Sequence, residues 1–137
     1  YTLPEVSQSV IITRMEGRTK VPERESIRSF AAHRATMVLF LSTGLLEKLS
    51  EELIKGGYPE DTPAAIVYKA SWPEEEVHHC TIRTLYETAK KHQITKTALI
   101  VVGEVLQAGE RKEYERSRLY APEFTTEFRQ GTKKEGE

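Results

Sequence analysis

The chain has 137 residues, 38% of them hydrophobic and 30% charged, the size and composition of one soluble α/β domain with a modest core. Its 20 basic and 21 acidic residues leave a net charge of -1, which excludes a strong overall field for nucleic acid or an anionic membrane. The single cysteine, Cys80, excludes an internal disulfide and suits a reducing cytoplasm.

The chain opens Tyr1-Thr2-Leu3-Pro4, without an initiator Met and without a charged and then apolar leader. We therefore expect a piece of a longer protein. Val10 to Arg14 is rich in β-branched residues and predicts a strand. A polar loop from Met15 to Pro22 follows. Ile27, Phe30 and Ala31 recur at helical spacing within a segment from about Glu23 to Ala32. Ala35 to Leu41 is apolar on both faces, the pattern of an interior strand. Leu45, Leu46, Leu49, Leu53 and Ile54 then form one helical stripe that opens at Ser42-Thr43-Gly44 and stops at Gly56-Gly57.

Ala64 to Tyr68 predicts a third strand and Val77 to Thr81 a fourth, with a hairpin across Trp72-Pro73 between them. Ile82, Leu85, Tyr86 and Ala89 mark another helix, and Thr97 to Val102 the fifth strand. The longest apolar runs, Met37 to Leu41 and Ala98 to Val102, are far too short to span a bilayer. The order β-α-β-α-β-β-α-β predicts a layered α/β domain with a mixed five-stranded sheet flanked by helices. Residues 1–129 are expected to form this domain. Residues 130–137 carry almost no apolar side chain and are expected to be a disordered tail, whereas Leu119, Tyr120, Phe124 and Phe128 have the apolar character to pack on the domain.

Few residues point to chemistry by themselves. His78-His79-Cys80 has the composition of a metal cluster, but neighbours on a strand face opposite ways and cannot converge on one ion. Cys80 as a nucleophile needs a histidine base, and His33 and His92 are remote in sequence. Ser42-Thr43-Gly44 sits where helix amides can hold an anion, yet it lacks the glycine spacing of a phosphate loop, and a helix cap is the simpler role. Glu74-Glu75-Glu76 reads as a solvated rim. Arg14, Arg18 and Lys20 cluster on the first loop and could pair with substrate carboxylates, or form an ordinary basic surface. Small residues recur at three strand termini, at Leu41-Ser42, Ala70-Ser71 and Thr97-Ala98, and strand termini are where layered α/β folds bind ligands.

Three segments carry a resemblance: Ala35 to Ser42, Thr62 to Pro73 and Thr97 to Gly103. With Thr2 to Ser9, Arg14 to Thr19 and Ser117-Arg118-Leu119-Tyr120, they make the chain similar, from Thr2 to about Arg129, to the C-terminal half of the tetrapyrrole methylases that use S-adenosylmethionine. Within that family the resemblance narrows to the branch that methylates precorrin-4, or its cobalt form, at C-11 in corrin synthesis. It implies a cytoplasmic, dimeric enzyme of two α/β domains. The cofactor lies between the domains, and an N-terminal domain of the same protein would be missing here. It further implies cofactor contacts at Leu41, Ala70, Ser71, Thr97, Ala98 and Leu99. Three of these positions depart from the family's commoner residues: Leu41 stands for Met, Ala70 for Gly and Thr97 for Pro. A substrate-contacting Arg of the uroporphyrinogen-methylating branch falls on Pro4 and is not carried over. The carboxylates of a tetrapyrrole would give Arg14, Arg18 and Lys20 a role. No catalytic side chain and no metal are implied, because a sulfonium methyl is already electrophilic and the protein has mainly to align it and exclude water.

Overall fold

The computed structural model describes residues 1–107. The expected tail and the Ser117 to Tyr120 segment lie outside the described residues, as does the domain boundary at 129.

Five strands form one mixed sheet in the order β1-β2-β5-β3-β4. These are β1 (Val10–Arg14), β2 (Thr36–Phe40), β3 (Pro63–Tyr68), β4 (Glu76–Thr81) and β5 (Ala98–Val102). β1 and β2 run parallel, with Ile12 opposite Val38. The hairpin foreseen at Trp72-Pro73 pairs β3 with β4 antiparallel. β5 fills the slot between β2 and β3 and is antiparallel to both. β2 and β3 therefore point the same way, and their C-terminal ends flank the N-terminal end of β5.

Three α-helices connect the strands: α1 (Ile27–Ala31), α2 (Leu46–Gly56) and α3 (Leu85–Lys91). Each is preceded by a short 3-10 turn, at Glu23–Glu25, Thr43–Leu45 and Ile82–Thr84. The expected continuous helix from Glu23 is thus broken at Ser26, whose hydroxyl accepts the Ser29 amide at 3.1 Å and starts α1 afresh. Ser42 also differs from expectation. It is fully buried and its hydroxyl makes no helix cap. It accepts the Met15 amide at 3.1 Å and donates to the Phe40 carbonyl at 2.8 Å, tying the end of β1 to the end of β2.

The core lies between the helices and one sheet face. Met37, Leu39, Ile66, Ile100 and Val102 meet Ile27, Ala31, Leu49, Leu53 and Leu85 there, all at 5% exposure or less. Alternation along the strands puts Val38, Ala65 and Val101 on the opposite face, together with the exposed Ile12 and Val77. Arg28 on α1 holds Glu52 on α2 through two bonds of 3.0 and 3.2 Å. The guanidinium draws the Glu52 carboxyl below its usual range. Both groups reach solvent, so the pair steers packing more than it stabilises.

Tyr58 sits at the end of α2 with its hydroxyl donating to the Ala35 carbonyl, 3% exposed. Burial pushes its pKa up to about 12. The folded value lies above the unfolded one of about 10, so the neutral phenol's contribution is complete below about pH 10. It is lost as pH rises through about 12, and the rise of about two pH units puts about 3 kcal/mol at stake at about 1.4 kcal/mol per unit. Tyr58→Phe should remove this slope from urea melts taken at rising pH, and should cost about 1–2 kcal/mol near neutrality by orphaning the Ala35 carbonyl. An unchanged alkaline slope in the variant would assign the effect to another group.

Candidate functional site

The strand order creates one site. Where β2 and β3 end and β5 begins, a cavity of about 500 Å³ opens on the surface. Phe40, Leu41, Thr43 and Gly44 line it from β2, Val67, Lys69, Ala70 and Trp72 from β3, and Thr95 to Leu99 from the approach to β5. Its size suits a small organic ligand. The small side chains of Gly44, Ala70 and Ala98 leave room for a flat group, and Val67, Leu99 and Phe40 supply an apolar wall.

The backbone around this cavity is unusual. Among the described residues, seven other than glycine have left-handed φ. Three of them line the cavity, Leu41 at 52°, Lys69 at 48° and Thr97 at 62°, and a fourth, Ser71 at 68°, follows the lining residue Ala70. Each costs on the order of 1 kcal/mol and persists only because neighbours enforce it, a pattern typical of functional sites. The enforcing bonds are visible. The Lys69 amide donates to the Thr97 carbonyl at 2.8 Å, the Trp72 amide to the Lys69 carbonyl at 2.9 Å, and the Ser71 amide to the Glu75 carboxylate.

The rim is apolar and open. Leu41 is 84% exposed, Trp72 54% and Phe40 44%. Three large hydrophobic side chains around one opening form a surface that another part of a protein or a ligand would cover.

Five of the six residues anticipated for the cofactor, Leu41, Ala70, Thr97, Ala98 and Leu99, line this cavity. Ser71 does not line it, and its amide is committed to Glu75. Ala98 plays two parts. It borders the cavity, and its methyl group belongs to the helix-side core beside Ile100. The three basic residues of the first loop are not brought to the cavity. The Arg14 guanidinium lies 3.3 to 3.4 Å from the carbonyls of Met15, Thr19 and Lys20, so it clasps its own loop. Arg18 and Lys20 are exposed on that loop. Sequence reasoning passed over Lys69 and Lys96 and read Trp72 only as a turn residue. The signal available for Trp72 was its place at the abrupt end of a buried strand.

The other candidates resolve differently. His78 and Cys80 share the helix side of β4 and His79 the other, as the pleat requires. The His78 ring stacks on His92 at 3.7 Å between centroids and bonds the Glu76 carboxylate at 2.9 Å. Burial pushes the Cys80 thiol up, against smaller opposing hydrogen bonds from Thr88 and Thr84, which disfavours the thiolate a nucleophile needs. The acidic run is more than a rim: Glu75 braces the Trp72 turn and Glu76 holds His78. Among the described residues, no helix is long and apolar enough to cross a membrane.

Fold and site together define a layered α/β domain with an open cleft at its strand ends. Residues 1–86 match the family model described as Tetrapyrrole (Corrin/Porphyrin) Methylases, and the chain belongs to that family. It is 51% identical over 133 residues to the cobalt-precorrin-4 C(11)-methyltransferase of Methanocaldococcus jannaschii, a match covering 97% of this chain and 50% of that one. The solved structure of a cobalt-precorrin-4 methyltransferase, a cobalamin biosynthetic enzyme, superposes with a TM-score of 0.74 at 44% identity, covering 77% of this chain and 44% of that one. The uroporphyrin-III C-methyltransferase of Thermus thermophilus, solved with S-adenosylhomocysteine, shares the fold at a TM-score of 0.64 and 24% identity, covering 78% of this chain and 45% of that one. The chain spans about half the length of the curated relatives it matches.

Proposed function

We propose that the whole protein carrying this chain transfers a methyl group from S-adenosylmethionine to C-11 of precorrin-4 or cobalt-precorrin-4, and that this chain supplies half of the cofactor cleft. The observation that carries the reading is the open cavity at the ends of β2 and β3, rimmed by exposed Phe40, Leu41 and Trp72. Two relatives with the C-11 activity in their names, at 51% and 42% identity, support the choice of branch.

The cavity suits the cofactor chemically. A purine fits against Ala70 and Ala98, where any longer side chain would intrude, with Val67 and Leu99 as its apolar bed. The cofactor supplies a methyl group already activated by its sulfonium. This chain's residues then need to hold that group still and keep water away, and the pinned turns at Lys69 and Thr97 fix the walls in advance. In this reading the substrate provides the carbon nucleophile, and the cavity's task is to align the methyl donor with it. The exposed rim meets an N-terminal domain of the same protein in this reading, and the protein works as a homodimer in the cytoplasm.

The test compares the full-length protein with this chain alone. Calorimetry with S-adenosylhomocysteine should give heat for the full-length protein, and methyl transfer to cobalt-precorrin-4 should require it. Turnover by the isolated chain would refute the half-cleft reading. Binding and turnover on a different precorrin only would move the activity to another ring carbon.

A further inference from the structure

We propose that Lys69 receives a ligand carboxylate in this cleft, so that the recognition of charge assigned from sequence to Arg14, Arg18 and Lys20 resides at the end of β3. The proposal rests on the methyltransferase reading of the cavity and deepens it.

Lys69 lines the cavity, and its ammonium lies 5.3 Å from the Tyr68 ring centroid and 5.4 Å from that of Trp72. Two aromatic faces hold the cation in place without neutralising it. The ion pairs among the described residues join Arg28 to Glu52, His78 to Glu76 and Arg83 to Glu60, and none involves Lys69. Among the described residues, no acidic side chain lines the cavity. The chain also holds Lys69 in a left-handed conformation, at φ 48°, where a side chain is disfavoured. Its amide and carbonyl are fixed on Thr97 and Trp72, so the side chain departs from a rigid root. Lys96 shares the cavity lining but is exposed and stacks on no ring among the described residues. A positioned, unneutralised cation in an apolar cavity favours an anion, and an ammonium binds a carboxylate as a strong charge-assisted hydrogen bond.

Two carboxylates have this chemistry: the amino-acid end of the cofactor and an acetate or propionate arm of the tetrapyrrole. The experiment uses the full-length protein with Lys69→Met, which keeps the stem against Tyr68 and Trp72, and Lys69→Arg, which keeps the charge. S-adenosylhomocysteine carries the carboxylate, whereas 5′-methylthioadenosine lacks it. Lys69→Met should weaken S-adenosylhomocysteine about tenfold and leave methylthioadenosine unchanged if the cofactor is the source. If the substrate is the source, both nucleosides should bind unchanged and KM for cobalt-precorrin-4 should rise about tenfold. In either case Lys69→Arg should restore most of the loss, and added salt should narrow the gap between wild type and Lys69→Met. Melting curves of each variant report folding, with Lys69→Gln as a second neutral replacement.

S-adenosylhomocysteine affinity and KM both within twofold of wild type in the neutral variants would overturn the assignment while leaving the methyltransferase reading intact. Failure of the wild-type protein to bind either nucleoside would instead remove that reading, and the assignment with it.

Discussion

Replacing Ala70 by Phe in the full-length protein is expected to weaken S-adenosylhomocysteine roughly 100-fold, close to 2.7 kcal/mol, and to leave the melting temperature within about 2 °C of wild type. Ala70 lies in the turn after β3, outside the core, and is half-buried at the cavity wall. An aromatic ring there occupies the space a purine would use, while no core contact changes. Ala98 offers a contrast. It borders the same cavity but belongs to the buried core cluster, so enlarging it should cost stability, about 1–3 kcal/mol, as well as affinity. Comparing the two variants separates occupation of the site from damage to the fold. Calorimetric affinity within threefold of wild type in Ala70→Phe would show that the ligand does not use this wall.

Gly56→Ala should destabilise the protein by about 2–3 kcal/mol, although alanine is the better helix former by close to 1 kcal/mol. Gly56 ends α2 where that helix meets α1. A Cβ there would lie 2.5 Å from the Ala31 Cβ and 2.5 Å from the Arg28 carbonyl oxygen. Both belong to a neighbouring helix, and a carbonyl in a hydrogen-bonded backbone cannot turn aside as the tip of a flexible side chain can. The neighbouring Gly57 does a different job: its φ of 136° lets the chain leave the helix while its amide closes on the carbonyls of Leu53 and Ile54. Gly44→Ala is the control, because a Cβ there meets nothing within 4 Å, and its stability should stay within about 0.5 kcal/mol of wild type. Denaturant midpoints at constant m-value measure all three. Equal stability of Gly56→Ala and Gly44→Ala would mean that α1 and α2 can separate without cost.

The elements were legible because each depends on local pattern. β2, β3 and β5 are short apolar runs bounded by polar or turn residues, and α2 carries its leucines at helical spacing. The hairpin at Trp72-Pro73 was legible too, since the turn residues lie between two strand patterns. Sequence neighbours also carried the resemblance that led to the family. The stop at Gly56-Gly57 could be read as punctuation, but not the division of labour between the two glycines. That division depends on how closely α1 approaches α2.

What only the tertiary structure decided is which distant residues share a space. An apolar strand such as β5 carries no mark of its neighbours. Its insertion between β2 and β3, antiparallel to both, is what brings Leu41, Ala70 and Thr97 to one opening. Donor commitments were equally invisible. Arg14 looks free to bind substrate until its guanidinium is found against its own loop's carbonyls, and the Ser71 amide looks available until Glu75 takes it. Lys69 reads as one more basic residue after a strand, and only the placement of two rings beside its ammonium sets it apart. The sequence by itself determined periodicity, turn chemistry and family, which are written in adjacent residues. Side-chain facing, hydrogen-bond partners and the lining of the cavity depend on residues as far apart as 41 and 97, and those meet only when the sheet closes.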